Sequence, residues 1–120
     1  MEIAEIGRLL TLACYVPDAG SGDYDLLPIA NELKAKYPQY ADYFSQVPRD
    51  PSRGTNSESF YRYIVDEATK KCSIYANLEN SGEKVTIPGV SVPTAGGGVG
   101  VWQAGSPGWN GTDKYFQYGN

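Results

Sequence analysis

Histidine is absent from all 120 residues, which removes the side chain that titrates nearest neutrality, the commonest general base and the commonest metal ligand. Triads built on imidazole go with it, and so does most hydrolase chemistry. Positive charge is scarce as well. Ten Lys plus Arg stand against fourteen Asp plus Glu, a formal charge of −4, without the basic excess that draws phosphate backbones, so nucleic acid is not an expected partner. Long apolar runs are missing: none approaches the ~18 to 20 residues that span a bilayer, and no apolar stretch sits behind a basic start as in a signal peptide. The chain as read is expected to be soluble. With 41% hydrophobic and 20% charged residues, it is sized for a single domain over residues 1–120.

What is there is turn and sheet chemistry. Fourteen Gly, ten Tyr and eight Pro favour turns, ordered loops and half-buried sheet faces over long helical bundles. Helix is expected first and sheet after. Ile3, Ile6, Leu9, Leu10, Ala13 and Cys14 recur at three- and four-residue intervals, the apolar stripe of an amphipathic helix over residues 2–15, with Glu2, Glu5, Arg8 and Thr11 on the other side. Pro17 and the glycine-containing run from Asp18 to Asp23 end that helix and predict a loop. Asp25 can cap a second helix, with Pro28 inside its first turn and Leu26, Ile29, Ala30 and Leu33 on one face. Lys34 and Lys36 suit its negative end. A further helical turn is expected after Tyr37-Pro38, carrying Tyr40, Tyr43 and Phe44, and Val47-Pro48-Arg49-Asp50-Pro51 closes the helical half.

Phe60 to Val65 is aromatic and β-branched. Cys72 to Leu78 alternates, with Cys72, Ile74, Ala76 and Leu78 opposing Ser73, Tyr75 and Asn77. The two segments read as antiparallel neighbours joined by the polar connection 66–70. Val85-Thr86-Ile87 predicts a short strand and Tyr115 to Tyr118 a last one, while Pro88 to Gly111 lacks periodicity and reads as a long, packed loop. Trp102 and Trp109 would anchor that loop on the sheet or, if exposed, form a binding platform. The expected fold class is α+β: an N-terminal amphipathic helix packed on a small antiparallel sheet, with a second short helical region and a long C-terminal loop.

Few motifs carry chemistry. Gly96-Gly97-Gly98-Val99-Gly100 has neither a strand before it, nor a helix after it, nor a following Lys-Ser or Lys-Thr, so it reads as a loop rather than a cofactor cradle. Asp18, Ser21, Asp23 and Asp25 crowd oxygen ligands of the kind calcium prefers, but their spacing fits no EF-hand and a turn with a helix cap explains the same residues. Asn110 and Asp113 form a second thin oxygen pair. The triplet Asn110-Gly111-Thr112 matches a glycosylation acceptor and carries no weight alone. No two acids are singled out as a general acid and base, and no catalytic or cofactor-binding residue is assigned.

The two cysteines say more. Cys14 falls on the apolar stripe of the first helix and Cys72 on the inward side of a strand, so a helix packed on the sheet would bring them together. Neither belongs to a C-x-x-C pair, and two thiols without histidine make a poor zinc site. A disulfide is the expected state. The alternative is two unpaired core thiols.

Together the front helix, Tyr37-Pro38, Val47-Pro48-Arg49-Asp50-Pro51, Gly54, Phe60-Tyr61-Arg62-Tyr63, the run Cys72 to Asn80 and the ending Ser106 to Phe116 resemble the globular half of type IV pilin-like proteins, bacterial pilins and major pseudopilins of type II secretion above all. In that family a long N-terminal helix leaves the membrane during assembly and packs with its copies into a filament core. The hydrophobic half of that helix, its processing site and its glutamate have no counterpart here; Met1 followed directly by an amphipathic stripe is what removal of the membrane-spanning half would leave. The resemblance also raises calcium, often held near the C-terminus of major pseudopilins, although Asn110 and Asp113 do not clearly match those ligands.

The resemblance implies a non-enzymatic structural subunit of a type IV pilus-like or type II secretion pseudopilus filament, on the extracellular or periplasmic face of a bacterial inner membrane. Its partners would be copies of itself and other pilin-like subunits, with a membrane touched only through the absent helix half. In the head, Ile3, Ile6, Leu9, Leu10 and Ala13 would pack on Cys72, Ile74, Ala76 and Leu78. The competing expectation is a small extracellular carbohydrate- or peptide-binding module that uses Trp102, Trp109 and surface tyrosines.

Overall fold

Arg62-Tyr63-Ile64-Val65 and Ser73-Ile74-Tyr75-Ala76 place β-branched and aromatic side chains on both faces of an extended chain, and they make the central hairpin of a sheet. The computed structural model describes residues 14–39 and 49–120. In chain order its elements are strand β1 (Gly22–Asp25), helix α1 (Leu26–Lys36) and strands β2 (Arg62–Asp66), β3 (Lys71–Asn77), β4 (Val99–Gln103) and β5 (Lys114–Gly119). The five strands form one sheet in the order β1-β2-β3-β5-β4, with every neighbouring pair antiparallel.

Residues opposite each other in an antiparallel pair point to the same face. Tyr63 stands opposite Ile74 and Val65 opposite Cys72; Ile74 in turn meets Tyr118, and Ala76 meets Phe116. Against the β1–β2–β3 half of this face lies α1, whose Leu26, Ile29, Ala30 and Leu33 are buried in one core with Tyr63, Val65, Cys72, Ile74 and Ala76. A helix of 11 residues is marginal alone in water, so this burial, about 1.5–3 kcal/mol for each large side chain, holds it. The Asp25 carboxylate caps it by accepting from the Leu27 N–H at 3.0 Å, and Lys34 and Lys36 occupy its last turn.

The other face is covered too. Ser73, Tyr75 and Asn77, which alternation assigns to the outside of β3, are all buried, because the chain between β3 and β5 folds back over them. Ser73 Oγ donates to the Thr94 carbonyl at 2.6 Å. The Gln117 amide donates to the carbonyls of Gly96 and Gly98 at 2.7 and 2.9 Å, and the Asn77 amide to those of Thr112 and Lys114, both at 3.0 Å. The sheet is therefore the middle of three layers.

The expected fold class needs correction. Five antiparallel strands dominate, and α1 is the one α-helix among the described residues. Among the described residues the architecture is a five-stranded sheet carrying one helix, not a small sheet with two helical regions. Ile3, Ile6, Leu9, Leu10 and Ala13, like Tyr40, Tyr43 and Phe44, lie outside the described residues, while Cys14, assigned to the first helix, sits in a turn with φ of 35°. The loop expected at 18–23 runs into β1, whose acidic residues have little strand propensity but are paired with β2 through Arg62: its Nε donates to Asp23 Oδ1 at 3.0 Å. The long loop expected over 88–111 contains β4, a strand that Gly100 interrupts in sequence and that pairing with β5 supplies. Val85-Thr86-Ile87 forms no strand; the Thr86 and Ile87 N–H groups instead both donate to the Val101 carbonyl, at 2.9 and 3.0 Å, covering part of the outer edge of β4. Leu78 falls just past β3 and is half-buried. Among the described residues no helix is long and apolar enough to cross a membrane.

Candidate functional site

A covalent bond joins the turn at Cys14 to the sheet. Cys14 and Cys72 form a disulfide, with Cα atoms 5.7 Å apart and 58 residues of separation; closing a loop of that size is worth about 4 kcal/mol in the chain-entropy description. Cys72 is fully buried and Cys14 is 7% exposed. The strand pattern puts Cys72 beside Val65 on the helix-facing side, and the turn at Cys14 carries the chain over that spot.

The residues that follow Cys14 are pinned by polar contacts. Tyr63 Oη donates to the Tyr15 carbonyl at 2.7 Å. Tyr15 Oη donates to the Glu32 carboxylate on α1, the Asp18 N–H reaches the same carboxylate at 3.2 Å, and Lys36 closes an ion pair with Asp18. Burial, then the Glu32 hydrogen bond and charge, push the Tyr15 phenol well above its ordinary value; burial, then the neighbouring Tyr15, does the same for Tyr63. Both stay protonated donors across the physiological range.

A concave feature lies at the far end of β3. It is a groove of about 550 Å³ with Tyr61, Leu78 and Phe116 among its apolar walls and Asp50, Asn77 and Glu79 among its polar ones. Asp50 is only 2% exposed. Its Oδ1 accepts from the Ser52 and Arg53 N–H groups at 2.8 and 3.0 Å, and its Oδ2 from Trp109 Nε1 and Asn110 Nδ2 at 3.0 and 2.7 Å. Burial alone would raise its pKa, but those four donors outweigh it and hold the carboxyl below its ordinary value. An ionised, fully bonded carboxylate has no lone pair to spare for a substrate proton, so Asp50 acts as a staple between the 50–54 turn and the 109–110 loop.

The aromatic candidates point inward. Trp102 is fully buried and stacks on Tyr115 with ring centroids 4.5 Å apart, so its ring has no free face for a sugar or peptide. Trp109 is half-buried, meets Tyr115 edge-on at 5.7 Å and spends its N–H on Asp50. Ile74 and Ala76 are in the core. Asn110, of the glycosylation triplet, commits its side-chain amide to Asp50 and to the Asn77 carbonyl.

The oxygen-rich run 18–25 is likewise engaged. Asp18 pairs with Lys36. Asp23 pairs with Arg62 and accepts from the Tyr75 phenol, whose pKa burial, and then that bond, raise. Asp25 combines its capping bond with bonds from the Ser59 N–H, the Ser59 hydroxyl and the Phe60 N–H, at 3.0, 3.0 and 2.8 Å. Asp113 Oδ2 accepts from Gln103 at 2.7 Å. Among the described residues no group of three or more His, Cys, Asp or Glu is arranged to hold a metal ion.

The cap at Asp25 is legible in the sequence, but the bonds it accepts from Ser59 and Phe60, and those Asp50 accepts from Trp109 and Asn110, escape sequence reading because these partners lie 34 to 60 residues away in the chain. The one local signal is an Asp before a turn or helix start, which suits many positions. No family model, no curated protein and no solved structure matches this chain.

Proposed function

We propose that the chain is the head of a structural subunit in a type IV pilus-like or type II secretion pseudopilus filament. In this reading it works without catalysis, by assembling with copies of itself and related subunits on the outer side of a bacterial inner membrane. The observation that carries the reading is the bond from Cys14 to Cys72. In the sequence Ile3, Ile6, Leu9, Leu10 and Ala13 recur at the spacing of an apolar helical stripe up to Cys14. Whatever that stripe packs against, the disulfide hands the load to the third of five strands, the middle of the sheet. A subunit that is held at one end and displayed at the other needs such a continuous path. The clip of Tyr15, Asp18, Glu32 and Lys36 shortens the path further by tying the following turn to α1.

The test uses the natural full-length gene product in a bacterium with a pilus or secretion assembly apparatus. Surface filaments are sheared off, or the envelope fraction is cross-linked, and probed with antibody raised against this head. Label along filaments, or a ladder of cross-linked subunits that depends on the assembly ATPase, is the expected outcome. Recovery of the head exclusively as free monomer in cells that assemble their other subunits would overturn the reading. The binding-module alternative gains nothing from the tryptophans, since Trp102 is buried and Trp109 is tied to Asp50.

A further inference from the structure

Asn120 follows β5 and makes four contacts around the disulfide. Its N–H donates to the Cys72 carbonyl at 3.3 Å; its Oδ1 accepts from the Cys72 N–H at 3.0 Å; its Nδ2 donates to Cys14 Sγ at 3.0 Å and to the Lys70 carbonyl at 3.3 Å. One side chain thus grips the backbone of the buried cysteine and covers the sulfur of the other. Cys72 is wholly buried whereas Cys14 retains 7% exposure as a residue, so of the two sulfurs the one nearer solvent for an arriving thiolate to attack is Cys14 Sγ. That is the atom on which the Asn120 amide rests.

We propose that Asn120 is a latch on the Cys14–Cys72 disulfide, and that exchange with a thiol reductant requires the latch to lift. The step is ordinary thiol–disulfide exchange. The reductant's thiolate attacks Cys14 Sγ, a mixed disulfide forms there, and Cys72 leaves as a thiolate. A second thiolate of the reductant then displaces Cys14, so both cysteines end reduced and the reductant ends as a disulfide. Lifting Asn120 breaks contacts confined to residues 14, 70, 72 and 120, a small opening that leaves the core of α1 and β2 in place. The inference stands on these contacts alone and holds whatever segment 1–13 binds.

The experiment follows reduction of the oxidised full chain by dithiothreitol under native conditions, with quenched alkylation and mass readout. Asn120→Ala should be reduced about fivefold faster than the parent, the kinetic equivalent of one lost hydrogen bond. Its urea midpoint in the oxidised state should fall by no more than that one hydrogen bond accounts for, and exchange of the Cys72 amide should quicken by a similar factor. An unchanged reduction rate would overturn the latch. Should the variant fail to fold, the parent chain decides. Local lifting predicts a reduction rate nearly independent of low urea, whereas a rate that climbs with the full slope of global unfolding sinks the proposal.

Discussion

Trp109 donates its indole N–H to Asp50 across 3.0 Å, between residues 59 positions apart. The bond ties the turn that leads toward β2 to the loop that leads into β5. Neither segment has regular secondary structure of its own, so their mutual placement depends on this carboxylate.

Asp50→Ala should destabilise the fold by about 2–4 kcal/mol, since four donors lose their acceptor in a buried setting. Urea denaturation followed by tryptophan fluorescence measures it. Because the folded carboxyl titrates below its ordinary 3.8, ionisation favours the folded state. That contribution is complete above the ordinary value and lost as pH falls through the lower, folded one. Stability of the parent should therefore drop in acid more steeply than that of Asp50→Asn, and parallel acid titrations would refute this account.

Asp25 serves two purposes that substitutions can separate. Asp25→Ala should cost about 2–3 kcal/mol through loss of the cap on α1 and of the bonds from Ser59 and Phe60. Asp25→Ser keeps a capping oxygen but is too short to serve Ser59 and Phe60 together, and should recover only about 1 kcal/mol. Equal urea midpoints for the two variants would show that the cap contributes nothing.

Gly108 passes so close to Asn77 and Tyr115 that a Cβ there would lie 2.6 Å from Asn77 Cγ. Gly108→Ala is expected to cost about 1–3 kcal/mol by overpacking. The same change at Gly105, where a Cβ meets nothing within 4 Å, should be nearly neutral. Thermal melts of the two variants side by side give the comparison.

Calcium has to compete with existing partners at Asp18, Asp23 and Asp25. Each carboxylate already holds a lysine, an arginine with a tyrosine, or a helix end. No rise in melting temperature is expected at millimolar calcium. A reproducible upward shift would reveal a native-state site by linkage.

Local chemistry made several elements legible in the sequence. Asp25 before Leu26, with apolar residues at 26, 29, 30 and 33, specifies α1 because cap and stripe both lie within one helical span. The β-branched and aromatic runs around Tyr63 and Ile74 specify a hairpin for the same reason, and β5 announces itself through Tyr115 to Tyr118. The strands β1 and β4 did not. Gly22-Asp23-Tyr24-Asp25 and Val99-Gly100-Val101 are poor strand formers alone and become strands because β2 and β5 offer them hydrogen-bonding edges. Alternation in β3 likewise suggested one wet face, since nothing local tells that Thr94, Gly96 and Thr112 return to cover it.

Composition and pattern alone determined that these 120 residues carry no imidazole, and where the helix cap and central hairpin lie. Tertiary structure decided the five-stranded order, the burial of both faces of β3, and the saturation of Asp25, Asp50 and Trp109. The division has a physical cause. Propensity, capping and periodicity act over a few residues and are written in neighbouring letters, whereas a buried carboxylate finds its donors across tens of residues, only after the chain has closed around it.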